Sequence, residues 1–288
     1  MRVFSSYWVI KYRDNPKSDW TDCPRLKNGW VADPFIYTFN GCTAVFAEIM
    51  DYRTGKGYIG CSVWDGDGFG SWMPVIQEKW HLSYPLIFEL DQKLYMIPEQ
   101  YQSKEIAFYE CETFPNKWRR LSPLVKGGEY VDNTILFQNE DIWIFSLKLS
   151  ETEKNKGSFV RMHLKSISEI DKVDILFETA SDCRRPAGNF IIYEGNIFRP
   201  AQDCKKIYGG GLILYKVEEC TSERYEEKEF RRVYADDLAV IKKTEKYIGI
   251  HTYNRDCVSN IEVIDLKQKK IIPRELFYKF LRRIEKIR

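Results

Sequence analysis

Asp33, Glu99 and Asp132 are the residues of this sequence best placed to do chemistry. Each carboxylate marks the end of an otherwise apolar run: Asp33 opens DPFIYTF, Glu99 closes LYMIPE and Asp132 opens DNTILF. Carboxylates crowded in a partly dry pocket push their pKa values apart. One then serves as base or nucleophile, a second keeps its proton and serves as acid, and a third orients substrate or tunes its neighbours. That division of labour suits the making or breaking of glycosidic bonds. A structural alternative stays open for each: Asp33 caps a turn before Pro34, and Glu99 satisfies backbone amides.

Arginines form a second group. Arg184 and Arg185 lie in CRRPAGNF and Arg199 in FRPAQDC. Guanidinium forks bind carboxylate or phosphate bidentately, so these residues could hold an acidic sugar or the phosphate of an activated donor. The alternative is an internal ion pair with the acidic residues. Gln202 and Tyr208, in RPAQDCKKIYGGG, are candidate hydroxyl binders; no helix pattern follows that glycine run, so it is not a phosphate loop. Glu48, His81, Tyr84 and His251 complete the candidate binding set, and His163 reads as structural. No close ligand spacing joins the histidines to the carboxylates, so no metal is expected, and no cofactor. Trp30, Trp80 and Tyr84 adjoin these motifs; core packing is their default, sugar stacking the functional alternative.

The elements that must position these groups repeat. Five segments share a plan of motif, strand, turn and second strand, beginning at Asp33, Tyr84, Asp132, Arg185 and Asp237. A period near fifty residues is that of a four-stranded propeller blade. The fold class is therefore all-β: a five-bladed β-propeller over residues 30–272, preceded by a segment 1–29 that supplies an outer strand of the last blade and closes the ring. In such a blade the start of the first strand and the end of the second lie at one face of the disc. The register pairs Asp33 with Glu48, Tyr84 with Glu99, Asp132 with Ser146, Arg185 with Arg199 and Asp237 with His251, all around one mouth. Only residues 273–288 read as helix. Leu276, Phe277, Phe280, Leu281, Ile284 and Ile287 share one side, while Lys279, Arg282, Arg283, Lys286 and Arg288 fall largely on the other. Such a helix packs on its own domain or lies on an anionic membrane.

Composition narrows the partners. A net charge of +2 gives no concentrated basic face for nucleic acid. The eight cysteines form no C-x-x-C pair, and the N-terminal apolar stretch is too short for a signal peptide or a span. Reduced thiols and a cytoplasmic location are expected, with peripheral contact at the inner face of the membrane through the helix.

The motifs WVADPFI, HLSYPLIFE, YMIPE, VDNTI, RRPAGN, RPAQDC–YGGG and HTYN resemble a domain at the N-terminus of plant glucosamine inositolphosphorylceramide transferases, with bacterial relatives in polysaccharide gene clusters. The resemblance runs from about residue 30 to 255. More distantly, the Asp-Pro of the first inner strand is similar to that of five-bladed glycoside hydrolases of the family-43, -32, -68 and -117 kind, whose funnels carry three acidic residues. That resemblance implies Asp33 as base or nucleophile. Two departures matter: Ser83-Tyr84-Pro85 stands where the hydrolases often carry an acid, and Asp132 where family 43 has a glutamate acid. Glu99 would take over that role. The plant proteins carry their transferase domain elsewhere in the chain, so the resemblance does not transfer its activity. The expected function is a carbohydrate-active enzyme, a glycosyltransferase ahead of a hydrolase-like enzyme, acting on a surface-polysaccharide or glycolipid precursor. The alternatives are a non-catalytic glycan-binding module assisting a partner glycosyltransferase, and a protein-interaction propeller with an exposed apolar rim.

Overall fold

A computed structural model describes residues 5–153, 155–180, 184–238 and 246–285, with side chains described up to Arg283 in the last segment. The fifth-repeat strand expected just after Asp237, Cys183 and the helix residues Lys286, Ile287 and Arg288 lie outside the described residues, as does the Ile284 side chain.

Five antiparallel four-stranded sheets make the five blades of a β-propeller. Blade one runs through Gly29–Phe39, Cys42–Asp51, Lys56–Val63 and Met73–Ile76. Blade two comprises Ser83–Leu90, Lys93–Glu99, Tyr109–Thr113 and Lys117–Arg120, and blade three Tyr130–Gln138, Asp141–Leu149, Lys156–Ser166 and Glu169–Ala180. Blade four has Ile191–Tyr193, Asn196–Asp203, Gly211–Cys220 and Tyr225–Tyr234. Blade five joins the chain ends: Gly249–Arg255 pairs with Glu262–Lys270, which pairs with the N-terminal strand Ser5–Arg13, and Thr21–Asp22 forms the outer edge. The pairing of Ser5–Arg13 with Glu262–Lys270 runs unbroken from Ser5 opposite Lys270 to Arg13 opposite Glu262. The N-terminal strand is thus the third of its blade.

Large side chains fill the wedges between blades. Val45 and Ile36 meet Ile10 and Val263 between blades one and five; Phe46 and Ile59 meet Ile87, Met96 and Tyr109 between one and two. Phe145 and Phe159 meet Tyr225 and Ile197 between three and four. Most of the aromatic content is spent here, the core reading of the composition.

Blade five corrects the expected register. Asp237 does not open a strand at the mouth: it caps the short turn Ala235–Asp237, accepting the Tyr234 N–H at 2.8 Å. His251 lies on the strand nearest the axis, where Tyr253 N–H donates to Ala187 O of blade four and Asn254 to Pro34 O of blade one. No described helix is long and apolar enough to cross a membrane, and no disulfide joins the described cysteines.

Candidate functional site: an axial funnel of bulged strands

Four inner strands carry a bulge at the same height: between Ala32 and Phe35, Ser83 and Leu86, Val131 and Thr134, and Ile250 and Tyr253. A bulge leaves one residue out of the ladder and re-aims its side chain. Here the extra residue turns toward the axis. Asp33, Tyr84 and Asp132 all take the left-handed conformation, with φ of 52°, 47° and 52°. Asp tolerates it; for Tyr it is strained by about 1–3 kcal/mol.

Bulging also frees backbone N–H groups, and carboxylates of the neighbouring blade accept them. Asp33 N–H donates to Asp265 Oδ2 at 2.9 Å, Tyr84 N–H to Asp33 Oδ2 at 3.3 Å, and Asp132 N–H to Glu99 Oε2 at 3.2 Å. The acids therefore pass from blade five to one, one to two and two to three, so each has a structural duty as well as any chemical one.

Two clusters result. In the first, His251 Nδ1 lies 2.6 Å from Asp265 Oδ2 and its Nε2 3.4 Å from Asp33 Oδ1. Thr252 Oγ1 adds a 3.1 Å hydrogen bond to Asp33 Oδ1. The imidazole stacks on Trp8, ring centroids 3.9 Å apart, and meets the Tyr208 ring edge-on. Gly209 permits that stack, since a Cβ there would stand 2.7 Å from Trp8. Burial pushes the Asp33 carboxyl up to about 7, with His251 opposing and Glu48, Asp265 and Asp132 adding to the rise. Burial works against the His251 imidazolium, yet Asp265 and Asp33 outweigh it and hold its pKa above the ordinary value. Asp33, His251 and Asp265 are also the one described group with metal-ligand types within reach of one another. Asp265 already accepts the backbone N–H groups of Asp33, His251 and Thr252, and both ring nitrogens face carboxylates. These donors are engaged with each other, which leaves a cation a poor fit.

In the second cluster, Arg185 bridges two acids: Nε donates to Asp132 Oδ2 at 2.5 Å and Nη2 to Glu99 Oε2 at 3.1 Å. Gln202 Nε2 adds 3.0 Å to the same Asp132 oxygen. Burial first, and Asp132 second, hold the Glu99 carboxyl well above the usual range. Tyr208 closes the cluster from above, its ring 5.6 Å from the Arg185 guanidinium. Tyr208 is 42% exposed, so it and Arg185 are what an entering ligand meets.

The candidate residues separate accordingly. Asp33, Glu99, Asp132, Arg185, Gln202, Tyr208 and His251 come together. Glu48 and His81 form a flanking pair, Nε2 to Oε1 3.1 Å; Gly57 N–H donates to His81 Nδ1, so the ring carries its proton on Nε2, facing Glu48. Tyr84 is not a group at the mouth. Fully buried, it crosses the axis to Gly188 of blade four, accepting the Gly188 N–H at 2.6 Å, and plugs the channel as the floor of the funnel. Gly188 is obligatory there: φ is +131° and a Cβ would lie 2.0 Å from Tyr253 O.

Arg199 is not in the funnel either. It makes a bidentate pair with Glu227, 2.7 and 2.6 Å, between Phe159 and Tyr215 in the wedge of blades three and four. Gln202 is the residue opposite Arg185, its N–H donating to Arg185 O. Arg184 points outward over Phe177 and Tyr215. Ser146 turns back to Val131 O. Sequence reasoning missed Trp8 and Asp265; an acid inside the apolar run VIDL was the signal for the latter. Trp80 packs under Arg120 away from the funnel.

An apolar cleft of about 520 Å³ opens between blades four and five at the opposite end, lined by Phe190, Ile192, Tyr193, Phe198 and Phe230. It holds no cluster of titratable groups, so the funnel is the better candidate for chemistry.

Comparison with known proteins agrees with this fold. Solved structures with the same fold include the catalytic domain of the Coprinopsis cinerea GH62 α-L-arabinofuranosidase, with a TM-score of 0.61 at 10% identity over 83% of this chain and 92% of that one. An α-L-arabinofuranosidase from Lactobacillus brevis gives 0.58 at 12% identity, over 83% and 91%. Among curated proteins, glucosamine inositolphosphorylceramide transferase 1 of Oryza sativa subsp. indica is 30% identical over 212 residues, 69% of this chain and 28% of its own length. The Arabidopsis thaliana protein of that name is 27% identical, over 71% and 28%. The chain thus spans less than a third of the curated relatives it matches. The family model described as glucosamine inositolphosphorylceramide transferase 1, N-terminal, matches residues 21–272, nearly the whole propeller, and the chain belongs to that family.

Proposed function

We propose that the chain is a carbohydrate-active enzyme that transfers a glycosyl unit at the axial funnel, using a surface-polysaccharide or glycolipid precursor as substrate. The observation that carries this reading is convergence: Asp33, Glu99 and Asp132 from three blades meet Arg185 and His251 from the other two. On this reading Asp33 is the base. Its pKa near 7 suits proton uptake from a sugar hydroxyl at neutral pH, with His251 beside it to share the proton. Glu99, held protonated, is the acid, and Asp132 orients Arg185. The guanidinium Nη1 of Arg185 has no hydrogen bond among the described residues and is the natural partner for a donor phosphate or an acidic sugar. Transfer is preferred to hydrolysis because Arg185 suits a phosphate-bearing donor. The protein would work in the cytoplasm at the inner face of a membrane, where activated donors and lipid-borne acceptors meet.

Asp33→Asn and Glu99→Gln test the proposal. Each should lower turnover of nucleotide-sugar or lipid-linked donors by about a hundredfold or more while circular dichroism stays unchanged. Undiminished turnover in either variant rules out its assigned role. A second reading, a non-catalytic glycan-binding module, is favoured by one observation: Asp33 and Glu99 already accept backbone N–H groups, and Arg185 covers Glu99 and Asp132. It predicts no product with any donor and only modest changes in affinity.

A further inference from the structure

The C-terminal helix, Pro273–Glu285, docks on the propeller with part of its apolar side left outside. Its polar residues hold it. Arg282 Nη1 donates to Tyr52 O and Arg53 O, Arg274 to Lys27 O at 3.0 Å, and Lys279 to Ser5 Oγ at 3.4 Å and to Glu275. Glu275, Lys279 and Arg282 follow helical spacing, so they form the inward stripe. Two of its phenylalanines face out, Phe277 57% and Phe280 61% exposed, with Ile271 just before the helix 52%, while Leu276 and Leu281 are half-buried. The helix packs on its own domain, but part of its apolar side is left facing solvent.

The helix also has a definite place. It follows the strand ending at Lys270 and touches Ser5, Lys27 and the loop after Asp51. Strand direction puts Ser5, Gly29, Asp51 and Lys270 at the end of the disc where the bulged residues open the funnel. Helix and funnel mouth share one face.

We propose that this helix is a membrane-interface element that seats the funnel mouth against an anionic bilayer. Charge distribution argues for lipid. Residues 269–288 hold eight Lys or Arg and two Glu in a chain whose net charge is only +2, and phenylalanines beside a basic stretch are the composition of interfacial helices. Size argues against a protein partner: a stable interface buries on the order of 1,000 Å² or more, whereas this ridge offers two phenylalanines on a single short helix. The inference extends the reading above by naming the surface on which substrate is met. It draws on that reading only for the identity of the substrate.

Flotation of the full chain with vesicles tests it. Binding is expected to phosphatidylcholine vesicles containing phosphatidylglycerol, weakening with salt, and not to phosphatidylcholine alone. The double variant Phe277→Ser, Phe280→Ser changes only exposed side chains and should lower partitioning at least about tenfold. Hydrogen exchange of the bound protein should show protection in the helix and in residues 24–28 and 52–56, and none at residues 256–260 of the opposite end. Failure to float, unchanged binding by the double variant, protection at 256–260, or a dimer that the double variant abolishes without vesicle binding would each overturn the proposal. Asp33→Asn should float like the wild type, so a failure of the sugar chemistry and a failure of membrane docking are told apart.

Discussion

Replacing Asp33 by Asn should stabilise the protein at mildly alkaline pH and have a smaller effect in mild acid. A carboxyl whose pKa rises on folding binds its proton more tightly in the native state. Native stability is therefore highest below the unfolded value and is lost as pH rises through the folded one. For Asp33 those values are 3.8 and about 7. At about 1.4 kcal/mol per pKa unit, ionising this buried group costs the native state about 4 kcal/mol once pH exceeds the folded value. Asn removes that cost. Its amide oxygen can still accept the Tyr84 N–H, and its NH₂ can donate to Thr252 Oγ1, whose hydroxyl rotates to accept. The attraction between ionised Asp33 and His251 is already contained in the folded value of about 7. The net expectation is a gain of about 4 kcal/mol near pH 8 that shrinks to about 2 kcal/mol or less near pH 5, where the native carboxyl is already neutral. His251, with its own pKa raised, adds to the wild-type preference for acid. Urea titrations of both proteins at the two pH values measure the difference. An equal effect at both, or a gain confined to acid, refutes the reasoning and with it the assignment of Asp33 as a strained, buried base.

Other substitutions separate scaffold from site. Arg185→Met leaves Glu99 and Asp132 buried without their cation and should cost about 3 kcal/mol, as urea unfolding would read. Arg199→Met should cost about 3–5 kcal/mol by orphaning Glu227, and adding Glu227→Leu should restore most of it, as a double-mutant cycle would show. Gly188→Ala drives a methyl into Tyr253 O and should cost about 3 kcal/mol, lowering the melting temperature by about 5 °C, as followed by calorimetry.

The repeat was legible where the bulge has a residue signature. Asp33-Pro34, Tyr84-Pro85 and Asp132-Asn133 mark three inner strands, and the acids among them are residues that tolerate a left-handed backbone. In blade five the bulge falls on His251-Thr252, with no such mark, and an extra stretch before it displaced the register. Arg199 and Gln202 show a second limit. Three residues apart on one strand, they face opposite sides of the sheet, so a slip in the turn exchanged an axial residue for one between blades. Trp8 was hidden because its partner, His251, lies at the other end of the chain, and only ring closure brings them together. The helix was visible as amphipathic, yet how much of its apolar side faced the domain depended on carbonyl acceptors of residues 27, 52 and 53 that no periodicity reveals.

The account stands most directly on where a sugar touches the protein. Amide chemical-shift mapping during titration with a sugar phosphate or nucleotide sugar answers that. Perturbations concentrated at Asp33, Arg185, Gln202, Tyr208 and Thr252, and lost in the Arg185→Met variant, are the predicted result. Perturbations confined to the apolar cleft around Ile192 and Phe230, or none with any sugar, would contradict it.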